Sequence, residues 1–355
     1  MEAERPARLL SLDAFRGLTI AGMLVVNSPG NNAAYAPLEH AQWHGCTPTD
    51  LVFPFFLFIV GAAVAFALAR RKEAGEVPWP QLLRRAAVLF GLGLFLCAIP
   101  DWHPETIRIL GVLQRIALCY LAVSWIYLKT GPRGQAALAG ALLAGYAAAL
   151  AWAPLTPEAS LPCRLDRLLL GRHAYHQGLF DPEGVLSTLP AIATTLLGLL
   201  AGQWLRSARL AMTKVWGLAL AGAAAAAAGA VWSLWLPLNK SLWTSSYVLY
   251  TGGLAAMTLA ACYWVLDVRG WRAWAGPLEV LGVNAIAAYV LPILGLKFLV
   301  LTRVGGEQLR IRICDLMFGT WLSPMNASLA FALSYLALWT GVFWLFRRKG
   351  WVWKV

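Results

Sequence analysis

Charge is scarce in this chain. Asp, Glu, Lys and Arg together make up 13% of the 355 residues, about half of the ~25% found in ordinary soluble domains. That scarcity argues against a soluble enzyme of this length and against a disordered chain. Cysteine is sparse as well. The six cysteines follow no metal or redox spacing, which argues against a secreted disulfide scaffold and assigns no thiol chemistry. Cys97, Cys119 and Cys262 fall in apolar runs and read as small packing residues. Cys46 and Cys163 share one side of the topology derived below, which does not establish a disulfide. The short strands of alternating polarity that build a membrane barrel are missing. So is an internal repeat. No cleavable signal peptide is expected, because the first apolar run carries Arg16 and lacks a short core ending in a small-residue cleavage site.

What is present is long apolar sequence: 59% of residues are hydrophobic and the mean hydropathy is +0.63. Ten runs approach the ~20 residues needed to cross ~30 Å of hydrocarbon: 13–30, 47–69, 84–100, 107–128, 134–155, 185–205, 211–237, 242–267, 276–301 and 327–346. The expected fold is therefore all-α, a polytopic integral membrane bundle of about ten helices forming one domain over 1–355. The net charge is +12. Eighteen of the 29 Lys and Arg lie at the two termini and in the loops on their side, and seven lie in the opposite loops. That asymmetry puts both termini in the cytoplasm and accounts for the basic balance without nucleic acid. The outer loops are then 31–46, which has no Lys or Arg, 156–184 and 302–326, whose stretch Leu309–Trp321 reads as an amphipathic interfacial helix. The Ala/Gly-rich stretch Ala221–Ala230 predicts close helix–helix contact through small residues.

Ionisable and amide side chains in such a chain face a partner or a cavity. At the start of the first span, Asp13 and Arg16 are three apart and share a helix face. They read either as a structural ion pair or as a guanidinium aimed at a phosphate. The end of that span and the following loop carry Asn27, Asn31, Asn32, Glu39, His40 and His44. Histidine is the natural acid/base near neutral pH, and an amide at a helix end can donate to a developing oxyanion. Thr47-Pro48-Thr49-Asp50 is a helix-start signal in which Asp50 suits the first turn. A metal site from His40, His44 and Asp50 has no further ligand cluster to support it. Arg115 is expected about two turns inside its span, some ~12 Å deep, and so needs an acidic partner or an anionic ligand. Asp181, Glu183, Asn239, Lys240 and Trp243 fall in outer loops, where carboxylates would suit a cationic amine and Trp243 a sugar ring.

Several blocks in the same order resemble the transmembrane acyltransferase family that includes heparan-α-glucosaminide N-acetyltransferase. They are Ser11-Leu12-Asp13-Ala14-Phe15-Arg16-Gly17, Val26-Asn27, His40-Ala41-Gln42-Trp43-His44-Gly45, Asp50-Leu51-Val52-Phe53-Pro54, Gly111-Val112-Leu113-Gln114-Arg115, Asp166-Arg167-Leu168-Leu169-Leu170-Gly171, Asp181-Pro182-Glu183-Gly184 and Asn239-Lys240-Ser241-Leu242-Trp243. The resemblance implies acetyl transfer from acetyl-CoA to the amino group of a glucosamine across a membrane. It implies an essential outer-loop histidine, matched by His40, and an asparagine, matched by Asn27. His44 falls where the family pattern carries Asn.

The reading taken forward is an acetyl-CoA-dependent N-acetyltransferase with no metal. His40 is general base or transient acetyl carrier, and Asn27 is oxyanion donor. Arg16, Asp13, Arg115 and Asn284 are the candidate cofactor contacts. Asp50, Asp181, Glu183, Asn239, Lys240 and Trp243 are the candidate acceptor contacts. The expected setting is a bacterial inner membrane with His40 facing outward, an amino-sugar acceptor from the envelope, contact with membrane lipid and a possible homodimer. A secondary transporter of a sugar or organic anion, and an O-acyltransferase acting on an envelope glycan or lipid, are the alternatives.

Overall fold

The computed structural model describes residues 9–100, 103–175 and 180–353. Apart from a two-residue-per-strand hairpin, Arg303–Val304 with Glu307–Gln308, regular structure among these residues is helical: α1 (Leu10–Asn27), α2 (Val52–Ala67), α3 (Ala69–Glu73), α4 (Trp79–Ala98), α5 (Val112–Lys129), α6 (Pro132–Leu150), α7 (Leu161–Leu169), α8 (Thr188–Arg206), α9 (Ala211–Trp232), α10 (Ser245–Tyr263), α11 (Gly276–Val283), α12 (Ala285–Leu301), α13 (Leu309–Cys314) and α14 (Pro324–Arg348). Proline in the first turn opens α4, α6, α7, α11 and α14, where its missing N–H costs nothing. Basic residues close α5, α8 and α14, where they oppose the negative helix end.

Eight helices among the described residues are long and apolar enough to cross a membrane, and a bent pair, α11 with α12, makes a ninth. This bears out the all-α polytopic class and revises its details. The fifth expected span is α6, a helix of 19 residues whose Arg133, Gln135 and many Ala and Gly leave it less apolar than the rest. The ninth expected span is not one rod. It breaks at Asn284 with an 87° bend, and Asn284 takes a non-helical conformation, φ −103° and ψ 36°. The apolar run continues through the break, so hydropathy alone conceals it. The fourth expected span starts at Val112 rather than 107, because Gly111 is fully extended. Arg115 therefore sits in the first turn of its helix, one turn shallower than expected.

The chain divides into two compact units. The larger holds 9–12, 42–46 and 53–270 of the described residues. Its helices meet through glycine. A side chain at Gly253 would strike the Ala226 and Gly222 backbone, and one at Gly229 the Tyr250 backbone, so α9 and α10 touch along the predicted Ala/Gly stretch. Gly61 and Gly198 do the same for α2 and α8. The smaller unit holds 13–41, 47–52 and 271–353 of the described residues. In it α1 lies against α11, with Gly17 on the Leu278 backbone and Gly282 on the Asp13 backbone.

Candidate active site

In the smaller unit the chain leaves α1 at Asn27 and turns through Ser28-Pro29-Gly30, a sequence that cannot continue a helix. Gly30 approaches α14 so closely that a Cβ there would meet Cys314 and the Phe331 side chain, and its N–H donates to Ser328 Oγ at 3.1 Å. Two single-turn helices follow, Ala36–Leu38 and Pro48–Leu51. They are tied together: Thr49 Oγ1 donates to Pro37 O at 3.2 Å and Thr47 Oγ1 to Glu39 O at 2.7 Å.

His40 lies between these turns, and its Nδ1 is 2.7 Å from Asp50 Oδ1. Asp50 is 1% exposed. Its Oδ2 accepts from Ala41 N and Thr47 N, each at 3.1 Å, and lies 3.1 Å from Thr47 Oγ1. A carboxylate fixed by backbone donors takes Nδ1–H from the imidazole, so the basic lone pair sits on Nε2. Asp50 was expected to touch an acceptor. In the structure it is buried against His40 Nδ1, and it also takes the helix-start position read from the sequence.

A cavity of about 360 Å³ opens on His40, whose side chain is 55% exposed. Asn31, Asn32, Glu39, Arg310 and Ser328 supply further polar walls, and Val25, Leu38, Leu329 and Ala332 are among the apolar ones. Asn27 is exposed at the end of α1 and does not line this cavity. Asn32 does. Arg310, on α13, was counted in the sequence only as one of seven outer-loop cations. The signal that marks it is its i, i+4 relation to Cys314, a residue with no exposure, which turns Arg310 inward.

Asp13, Arg16 and Asn284, the other residues of this unit proposed from sequence, do not line this cavity. Arg16 Nη1 donates to Asp13 Oδ1 at 3.0 Å and to Gly282 O at 3.1 Å, so the two residues form the ion pair that their spacing allows. Asn284, 1% exposed, accepts from Trp353 N at 3.1 Å.

In the larger unit the acidic loop before α8 is a receptor for arginine. Arg108 Nε donates to Asp181 Oδ2 at 3.1 Å, and its Nη2 pairs with Asp181 and Glu183. Asp181 is 2% and Glu183 6% exposed. These carboxylates were expected at an open mouth for an amine and are instead buried on Arg108. The two anions hold the guanidinium charged and push its pKa up against the opposing effect of burial. Arg115 has no exposure. Its Nη2 donates to Gly184 O at 3.1 Å and to Ser187, and its guanidinium lies 5.2 Å from the Trp243 ring centre.

Trp243 is fully buried, packed edge-on against Phe53 and Tyr247, with Nε1 donating to Thr194 at 3.0 Å. Its φ of +53° is rare for a bulky residue. It is core, not the exposed sugar platform expected from sequence. Asn239, also without exposure, accepts from Leu242 N at 2.7 Å and so builds that turn. Its Nδ2 lies 3.4 Å from His44 Nδ1, and burial pushes the His44 pKa down. Lys240 is half-buried, and its carbonyl accepts from Trp243 N.

Residues 8–236 match the family described as "Heparan-alpha-glucosaminide N-acetyltransferase, catalytic". The chain is similar to heparan-alpha-glucosaminide N-acetyltransferase of Homo sapiens, at 29% identity over 80% of this chain and 52% of the human protein. It is similar to that of Mus musculus at 28% identity, over 80% and 53%. The chain thus spans about half the length of the curated relatives it matches.

Proposed function

The chain belongs to the heparan-alpha-glucosaminide N-acetyltransferase catalytic family, and on that premise we propose that it moves an acetyl group from acetyl-CoA to the amino group of a glucosamine-type sugar, with the chemistry at His40. The observation that carries this reading is the His40–Asp50 pair at 2.7 Å on the wall of a cavity. At about 360 Å³ the cavity is at the small end of ligand pockets. That suits an amino sugar with a short acyl group, and leaves the bulk of a nucleotide thioester to lie elsewhere.

His40 Nε2 takes the proton that the acceptor nitrogen must lose. The nitrogen of the neutral amine bonds to the acetyl carbonyl carbon as it gives up this proton, the oxygen carries the transient negative charge, and the C–S bond breaks as the carbonyl re-forms. His40 returns its proton to the departing thiolate. Asp50 holds the imidazole in the tautomer this requires and stabilises the imidazolium between the two transfers. An amide donates to the oxyanion. Asn27 is the residue to which the family pattern points, and Asn32 is the one that lines the cavity. The charge asymmetry of the loops supports cytoplasmic termini and an outward-facing His40, which makes the transfer one from an inner donor to an outer acceptor.

Purified protein should move labelled acetyl from acetyl-CoA to glucosamine, and His40→Ala should abolish transfer while the protein stays folded. Normal turnover by a well-folded His40→Ala protein would overturn the assignment. Asn27→Ala and Asn32→Ala, measured in parallel, identify the oxyanion donor by which of them loses kcat with KM unchanged.

A further inference from the structure

The cavity beside His40 contains a cation without a counter-charge. Arg310 is nine-tenths buried. Nη1 donates to Pro29 O at 2.7 Å. Nη2 reaches only the side-chain oxygens of Asn32 and Gln308, at 3.4 and 3.3 Å, which is the weak end of hydrogen-bond distances. Nε has no partner. All three acceptors are neutral, and no carboxylate among the described residues lies within ion-pair distance of this guanidinium. Of the other arginines singled out above, Arg108 has two carboxylates and Arg16 has Asp13; Arg115 also lacks a carboxylate and leaves Nε and Nη1 unpartnered, but it lies against the Trp243 ring and lines no part of this cavity. Burial pushes the Arg310 pKa down, opposed by the Cys314 thiol and by no carboxylate. A buried charge left in that state is costly unless something supplies the opposite charge.

The cavity fixes what that something is. Arg310 lines it together with His40 and Glu39. A guanidinium matches the oxygens of a carboxylate, sulfate or phosphate two at a time, whereas Glu39 favours an ammonium. We propose that Arg310 is an anion subsite of the acceptor pocket, and that the preferred acceptor is an amino sugar bearing a fixed negative group. The proposal rests on the reading of His40 given above and adds the residue that selects the acceptor. Arg310 lies outside the stretch 8–236 matched to the family.

The test compares glucosamine with glucosamine 6-sulfate, which share one amine and differ by one anion, in full-length protein carrying Arg310→Gln or Arg310→Lys. The wild type should prefer the sulfated sugar by about tenfold or more in kcat/KM, the loss expected when one charge-assisted contact is removed. Arg310→Gln should raise KM for the sulfated sugar at least about tenfold more than it raises KM for glucosamine or acetyl-CoA, so that the preference falls toward parity. Arg310→Lys should retain part of the preference. Equal losses on both sugars would mean that Arg310 merely pins Pro29, and would overturn the proposal. So would a rise in the acetyl-CoA KM that vanishes with S-acetyl-pantetheine, because Arg310 would then be holding donor phosphate. If the wild type acetylates neither sugar, the enzymatic reading falls, and thermal stabilisation by inorganic sulfate at fixed ionic strength decides the subsite separately. Stabilisation of the wild type but not of Arg310→Gln upholds it, and its absence in the wild type overturns it.

Discussion

Replacing Asp50 by Asn tests the orientation of His40 with almost no change in volume. Asp50 Oδ2 receives two backbone N–H groups, from Ala41 and Thr47, while Oδ1 faces His40 Nδ1. In Asp50→Asn the amide oxygen must stay on the backbone donors, since an NH2 there would meet N–H head-on. The NH2 therefore faces Nδ1, which must become an acceptor. The imidazole proton moves to Nε2, and the nitrogen assigned as base becomes a donor. A positioned general base contributes about 10²–10⁴ in rate, or ~2.7–5.5 kcal/mol, and the variant should lose most of it. Steady-state kinetics should show the fall in kcat with acceptor KM held within about threefold, the pattern of an interaction made in the transition state. The loop should remain folded, because the Ala41 and Thr47 contacts survive. A variant retaining kcat within about threefold of wild type would refute the tautomer argument, and with it the role of Asp50.

Two further outcomes follow from the larger unit. Arg108→Gln leaves Asp181 and Glu183 buried without their cation, so it should lower the unfolding temperature in detergent by an amount corresponding to about 3 kcal/mol, with Arg108→Lys less severe. A null effect would show that water, not Arg108, neutralises the pair. Asp166 is held at about 6 by burial, against 3.8 in an unfolded chain. The folded state therefore binds more protons between these values, and stability falls as pH rises from about 4 to about 6. Asp166→Asn should flatten that slope in a thermal-unfolding series across the same range. An unchanged slope would assign it to other groups.

The span pattern, the Thr47-Pro48 helix start and the Ala/Gly contact were legible because each is a local property of composition or spacing. Partnerships were not. Asp181 and Glu183 sit beside Pro182 and Gly184, and Trp243 closes the Asn239-Lys240-Ser241 turn, so all three read as loop residues open to solvent, and only Arg108 and the Phe53–Tyr247 pocket reveal them as interior. Asp50 announced itself as a helix-start residue, and its second function depends on a histidine ten positions away whose approach is set by two short turns. The candidate His40 was found through the resemblance, while the cavity wall opposite it comes from α13 and α14, which no local signal connected to the first loop. The break at Asn284 escaped for the opposite reason: an uninterrupted apolar run looks the same straight or bent.

That break has a consequence for how the protein is made. The 87° bend lies at Asn284, whose side chain accepts from the amide of Trp353, 69 residues downstream. When the ribosome delivers α11 and α12 to the translocon, the piece that closes their corner has not yet been synthesised. The pair must wait in the bilayer with the corner unsealed until α14 has been threaded and the following residues fold back, so biogenesis of this segment has to follow an order that its hydrophobicity does not encode.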